Sequence, residues 1–211
     1  MDAISAEQHL IRDEATLTAL YGEVSAGAIA KEIDYIHPHY RAMIEAAPFM
    51  VMGTCGPEGL DVSPRGDPPG NLVHVVDDRT LLIPDRRGNN RADSLRNIIR
   101  DPRIAVLFLI PGVGETLRVN GRAEISIEPA LMQSFTVNGK LPRCVLIVHV
   151  ETVYFHCAKA IMRSKLWDEA TKIDRKSLPS TGAILAELSQ GKAGGEQYDR
   201  ELPERHKAML Y

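Results

Sequence analysis

The spacing of apolar residues changes along this chain, and each change marks a new kind of element. Up to about Ala47 the apolar positions recur at helical spacing. In KEIDYIHPHYRAMIEAA, residues Ile33, Ile36, Tyr40, Met43 and Ile44 fall near one face. Pro38 interrupts that pattern and suits the first turn of a second helix, where its missing N–H costs nothing. From Phe49 the apolar runs become short: FMVMGTC, GLDVSPRG, NLVHVVD and RTLLIPD, with CGPEG and DD as turn signals between them. These predict four strands in two antiparallel hairpins.

A helical period returns from about Asn90 to Ile99, with Ala92, Leu95, Ile98 and Ile99 as its apolar side. DPR ends it, because the residue before a proline resists the helical region. RIAVLFLI is apolar on both faces and predicts a central strand. GETLRVNGRAEIS predicts another, in which NG is either a hairpin turn or a bulge. IEPALMQSF reads as a short helix, RCVLIVHVETVYFHC as a long strand and KAIMRSKLW as a helix or turn. In the tail, GAILAELSQGKAGGEQ predicts a short helix running into a flexible glycine-rich segment, and ELPERHKAML another helix.

Strands in sequence-adjacent hairpins, with helices set apart, mean an α+β fold on an antiparallel sheet or barrel. The βαβ alternation of a dinucleotide-binding fold is missing. The expected organisation is a helical extension over 1–47, a barrel domain over 48–167 and a helical tail over 168–211.

Composition narrows the function little. The 211 residues carry a formal charge of −3, with 44% hydrophobic and 25% charged residues, as in an ordinary globular protein. No overall basic excess points to nucleic acid or an anionic membrane. Cys55, Cys144 and Cys157 are an odd set without a CxxC pair, which argues against a disulfide framework or structural zinc and for a reducing cytoplasm. The stretch MDAISAEQHLIRDEATL is acidic without a long apolar run, unlike a signal peptide, and no window approaches the length of a membrane helix.

Local clustering says more. LLIPDRRGNNRADSLRNIIR crowds Arg86, Arg87 and Arg91 around Gly88, Asn89 and Asn90, just where a helix begins. Asn90 reads as an N-cap, with Asp93 as a capping-box-like partner. A cation at Arg91 opposes the helix dipole unless an anion lies between them. The pattern fits a phosphate cradle of backbone amides, Asn90 and Arg91. The competing reading is a solvated basic turn whose arginines pair with Asp85, Asp93 or Asp101. In DVSPRGD, Ser63 and Arg65 share a parity and so leave one face of their strand, supplying a second donor set. Its competitor is an edge strand with Arg65 bridging Asp61 or Asp67.

With these residues in view, DRRGNNRADSL…DPRIAVLF and ETLRVNGRAEI, after two hairpins, resemble the pyridoxamine 5′-phosphate oxidase-like superfamily of FMN-binding split β-barrels. The resemblance covers about Phe49 to Trp167. It implies an antiparallel split barrel that binds FMN at a homodimer interface and works as an FMN-dependent oxidoreductase on a small molecule, with no role for nucleic acid or membrane. It also implies the positions around the cofactor. Ser63, Pro64 and Arg65 match the first phosphate-side strand. Pro84 and Asp85 match the strand end along the flavin. Asn89, Asn90 and Arg91 match the phosphate-gripping turn. Thr116, with Glu115 and Arg118 beside it, matches the polar residue at the pyrimidine edge. Lys159, Arg163, Ser164 and Trp167 are the residues that would reach the partner's flavin, where Lys159 and Arg163 would stabilise its anionic reduced form. Asn90 replaces an arginine of the oxidase proper, and DEATKIDRKSLPS lacks that enzyme's Arg- and His-containing substrate segment. Both departures point to the broader FMN-binding branch. A flavin carrier or sensor, or a haem-binding split barrel using His156, are the alternatives.

The remaining candidates are plainer. His37-Pro38-His39 lacks a third metal ligand and reads as a helix boundary. His149 and His156, an odd number of residues apart, lie on opposite faces of a regular strand. Gly112-Val113-Gly114 lacks the third glycine of a dinucleotide loop. The cysteines read as small core residues, and Trp167 as a helix-packing residue.

Overall fold

The protein is described from a computed structural model that covers residues 9–211. The helical expectation for residues 1–8 lies outside the described residues. The chain divides into two units, residues 1–32 and 33–211. In the first, α1 (Glu14–Tyr21) is capped by Asp13, whose carboxylate accepts from the Thr16 amide at 2.8 Å, and α2 (Ala26–Ala30) is capped by Ser25. Both are ordinary side-chain N-caps.

The second unit is built on one antiparallel sheet. Its elements are α3 (Pro38–Ala46), β1 (Phe49–Gly56), β2 (Gly59–Gly66), β3 (His74–Val75), β4 (Thr80–Asp85), α4 (Asp93–Arg100), β5 (Arg103–Leu109), β6 (Thr116–Ser126), α5 (Pro129–Ser134), β7 (Cys144–His156), α6 (Lys159–Ser164), α7 (Thr181–Leu188) and α8 (Gly195–Ala208). The strand order is β2-β1-β5-β6-β7-β4-β3, with every pairing antiparallel. The sheet does not close, so the fold is an α+β split barrel. The two expected hairpins are β1–β2 and β3–β4.

Alternation along the strands places the core. Met50 and Met52 of β1, Val106 and Phe108 of β5, Leu117 and Val119 of β6 and Val148 of β7 are buried against Leu81 and Ile83 of β4. Ile36, Ile44 and Ile98 close that interior from the helical side. Burying each large apolar side chain contributes about 1.5–3 kcal/mol. Pro38 opens α3 as expected, and the His37 ring caps it, Nδ1 accepting from the His39 amide at 3.2 Å.

Several expectations need correction. Residues 31–37 are not helical: the Ile33 and Val153 backbones exchange two hydrogen bonds, so this segment pairs with β7. NLVHVVD yields only His74–Val75 as strand, although Leu72 and Val73 are buried. β5 is interior to the sheet but buried on one face only, since Arg103 and Ala105 are exposed. The glycine-rich segment is not a slack linker, because Gly194 packs so closely on α7 that a Cβ would meet the Gly182 carbonyl.

The NG question resolves as a bulge, and the extra residue sits on β7. Asn120 pairs with Thr152 and Gly121 with Val150, which leaves Glu151 unpaired. That residue resets the parity of β7: Val148, Val150 and then Val153 face the core. His149 and His156 therefore share the face away from the core, contrary to the opposite faces expected of a regular strand. They meet different partners, Glu124 at 3.7 Å for His149 and the Tyr154 ring for His156.

Candidate cofactor site

β2 is an edge strand, and its inward positions lie past the limit of the apolar core. Asp61, Ser63 and Arg65 pair in register with Thr54, Met52 and Met50 of β1, so they occupy core-facing positions with polar side chains. The end of β4 and the loop into α4 face them. Together they enclose a cavity of about 850 Å³. Ser63, Pro64, Arg65, Pro84, Asp85, Asn89, Asn90 and Arg91 all line it. Arg65 and Arg91, which come from separate segments of the chain, thus share one cavity.

A polar chain runs across the cavity wall. Arg65 donates from Nη1 to Ser63 Oγ at 2.8 Å and to the Pro64 carbonyl at 2.9 Å, and from Nη2 to Asp85 Oδ1 at 3.3 Å. Ser63 Oγ lies 3.0 Å from Ser94 Oγ, which donates to Asp61 Oδ2 at 3.1 Å. With the Ser94 proton given to Asp61, Ser63 donates to Ser94 and accepts from Arg65. Arg65 therefore bridges Asp85, not Asp61 or Asp67. Burial pushes the Asp85 carboxyl above its ordinary value, and the Arg65 charge and hydrogen bond pull against it. Cys144, opposite Asp85 on β7, is pushed up to about 11 by burial and then by the Asp85 charge.

The tip of α4 differs from expectation in a telling way. Ala92, not Asn90, is the N-cap, with φ 55° and ψ 29°, and no side chain caps the helix. Asn90 is also left-handed, at φ 61°. Asn89 Oδ1 accepts from the Arg91 amide at 3.0 Å, and Asp93 takes Arg91 Nε at 2.7 Å instead of capping. Holding alanine in this region costs about 1–2 kcal/mol. Among the described residues no side chain accepts from the first-turn amides of α4, and the first-turn residues Asp93, Ser94 and Leu95 line the cavity.

Sequence reasoning missed other wall residues. Ser94 is buried on the same face of α4 as Ile98, four residues on. A lone serine on an apolar helix side was the available signal. Asp67, with its side chain 2% exposed, accepts from Arg86 Nε at 2.9 Å, while Arg86 also donates to the Phe135 carbonyl at 2.6 Å. Tyr211 Oη donates to the other Asp67 oxygen at 2.8 Å. Nothing in local sequence links positions 67, 86 and 211. In all, Arg65, Arg86, Arg87, Arg91 and Arg143 line the cavity against Asp61, Asp67, Asp85 and Asp93.

Thr116, Lys159, Arg163 and Ser164 do not line this cavity. Thr116 opens β6 opposite His156. The other three lie on α6, where the Ser164 hydroxyl donates to the Ile161 carbonyl at 3.0 Å. Trp167 Nε1 donates to the Val113 carbonyl at 2.8 Å, tying the segment after α6 to the loop before β6. Beside Thr116, Arg118 lies over the Tyr154 ring at 4.9 Å. Of the cysteines only Cys144 is buried, and Cys157 is exposed, so the core assignment holds for one of them.

Among the described residues, no helix is long and apolar enough to cross a membrane. The profile of the Pyridoxamine 5′-phosphate oxidase family matches residues 36–157. No curated protein matches the sequence. Similar solved structures include HupZ of Group A Streptococcus, at 20% identity and a TM-score of 0.46 over 56% of this chain and 91% of that one. General stress protein 26 of Bacillus anthracis aligns at 19% identity and 0.42 over 55% and 88%. An F420 reductase aligns at 18% and 0.41 over 56% and 97%. With more than half of its 211 residues inside the family match, the chain belongs to the pyridoxamine 5′-phosphate oxidase family, many of whose members bind flavin-type cofactors.

Proposed function

We propose that the cavity holds the 5′-phosphate end of FMN and that the chain is an FMN-dependent oxidoreductase acting as a homodimer. The observation that carries this reading is the convergence of Arg65, Ser63, Ser94 and Arg91 with the uncapped tip of α4 on one cavity. The two guanidinium groups and the helix-tip amides fit a phosphate dianion, and the Ser63 and Ser94 hydroxyls join them once their protons turn from Ser94 and Asp61 to the ligand. Asp85 and Asp93 hold the two arginines in place meanwhile. The left-handed Asn90 and Ala92 fit the same purpose, since strained backbone persists where a ligand site requires it.

When bound, FMN supplies the hydride or electron transfer, and the protein supplies anchoring and orientation. Arg65 and Ser63 fix one side of the phosphate, and the α4 tip fixes the other. Pro84 and Asp85 border the ring end of the site. Thr116, Lys159, Arg163 and Ser164 act on the flavin of the partner subunit, which accounts for their separation from the cavity. The outer sheet face supports a homodimer: Phe49 and Val62 are 39% and 65% exposed there, beside Val51 and Leu107 on neighbouring strands. An exposed apolar surface of that kind marks a contact site. The likeness to the F420 reductase adds no argument for that cofactor.

The test is the absorption spectrum of the purified protein, with mass identification of the ligand that copurifies. Flavin bands and the mass of FMN are expected. A Soret band, or a protein that neither carries nor takes up FMN, overturns the reading. Reduction by nicotinamide donors, followed by a substrate screen, separates an enzyme from a carrier.

A further inference from the structure

We infer that the segment after α8 is a gate on the cavity, latched by Tyr211, and that its release controls ligand entry. The inference rests on the cofactor reading for what passes the gate, but not for the gate itself.

Tyr211 lines the same cavity as Arg65 and Arg91. Its hydroxyl donates to Asp67 Oδ1 at 2.8 Å, and its ring lies 5.6 Å from the Arg86 guanidinium carbon. The receptor for this latch is rigid. Asp67 is almost fully buried, and its second oxygen is held by Arg86, which is itself fixed to the Phe135 carbonyl. The latch arm is the short segment Met209–Tyr211. It follows α8, which Asp199 ties to the start of α7 by accepting from the Ser180 hydroxyl and the Gly182 amide, and Met209 and Leu210 are exposed. Among the described residues, the polar hold on this arm at the cavity is the Tyr211 phenol, through one hydrogen bond and one cation–ring contact, with the exposed Leu210 beside it at the cavity wall. A rigid socket and a lightly held arm make a two-state element whose open form is readily populated. The socket also adjoins the phosphate cradle, because Asp67 lies two residues beyond Arg65 and Arg86 follows Asp85.

Two measurements test this, and the first needs no cofactor. Leu72 lines the cavity and is 3% exposed. A thiol placed there by Leu72→Cys reports access through its reaction with dithiobis(nitrobenzoate), measured above the background of the native cysteines. Adding Tyr211→Ala should speed that reaction at least tenfold, and Tyr211→Phe, which keeps the ring, should speed it less. Equal rates in all three proteins overturn the gate. Should Leu72→Cys itself not fold, trypsin cleavage after Lys207 replaces it, with faster cleavage expected in Tyr211→Ala and an unchanged rate overturning the latch. The second measurement is stopped-flow FMN binding. Tyr211→Ala should raise both the association and the dissociation rate severalfold, whereas a rise in dissociation alone means that Tyr211 is only a wall of the site and overturns gating. Faster thiol reaction in a protein that does not bind FMN upholds the gate and overturns the cofactor assignment.

Discussion

At the scale of single residues, the cavity separates shielded cations from exposed ones. Arg65 is largely withdrawn from solvent and bonded to Ser63 and Asp85, whereas the Arg91 side chain is 74% exposed. Charged hydrogen bonds contribute about 1.5–3 kcal/mol when shielded and far less at a wet surface. Arg65→Ala should therefore weaken FMN binding about tenfold to a hundredfold, and Arg91→Ala by less than tenfold. Titration of flavin fluorescence checks both, and equal losses would place the phosphate elsewhere. Parity alone put Ser63 and Arg65 on one face, and the misplaced cation made Arg91 legible. Ser94 and Asp67 were hidden because their roles depend on partners 31 and 19 residues away. Cys144 gives a prediction of another kind. Its thiol ionises near 9.0 when unfolded and near 11 when folded, mainly because burial disfavours the thiolate. Its contribution to stability is present below pH 9 and is lost as pH rises toward 11. Urea midpoints should fall between pH 8 and pH 10.5, and less so in Cys144→Ala.

At the scale of elements, legibility followed how far neighbours in sequence decide the structure. Pro38 set the start of α3, and the apolar runs RIAVLFLI and FMVMGTC gave the strands β5 and β1, although β5 is buried on one face and not on both. The bulge was half legible. Gly121 signalled an irregularity, but the inserted residue is Glu151, in a run of valine and threonine that carries no break signal. The two belong together. Where Glu151 loops out, the β7 backbone closes on β6, and a Cβ at position 121 would meet the His149 carbonyl. Backbone cannot yield as a flexible side chain does. Gly121→Ala should therefore destabilise by about 1–3 kcal/mol, in the range of overpacking, measured by urea denaturation. A neutral result would mean that the bulge shifts along β7 and relieves this close approach. The helix tip was misread for a similar reason. Asn90 has the chemistry of a cap, yet two left-handed residues carry the chain past it before α4 begins.

At the scale of the whole molecule, the expected site residues fall into two groups that one chain does not bring together. Ser63, Arg65, Asn90 and Arg91 line the cavity, while Thr116, Lys159 and Arg163 do not. The proposed homodimer, with the second group exchanged between partners, would reunite them, and it can be tested by complementation. In a two-fold dimer each site would take Arg65 from one subunit and Arg163 from the other. A dimer of one Arg65→Ala chain with one Arg163→Ala chain then has one site lacking both arginines and one site lacking neither. Random mixing makes about half of the dimers mixed, so about a quarter of all sites should regain full FMN affinity. Each variant alone should show none. If Arg163 acted within its own chain, every site would lack one arginine and mixing would restore nothing. Val51→Glu provides the control, because it places a charge on the outer sheet face, away from the core partner positions. It should leave the fold intact, shift sedimentation from dimer to monomer, and abolish the recovery when it is present in both mixed chains.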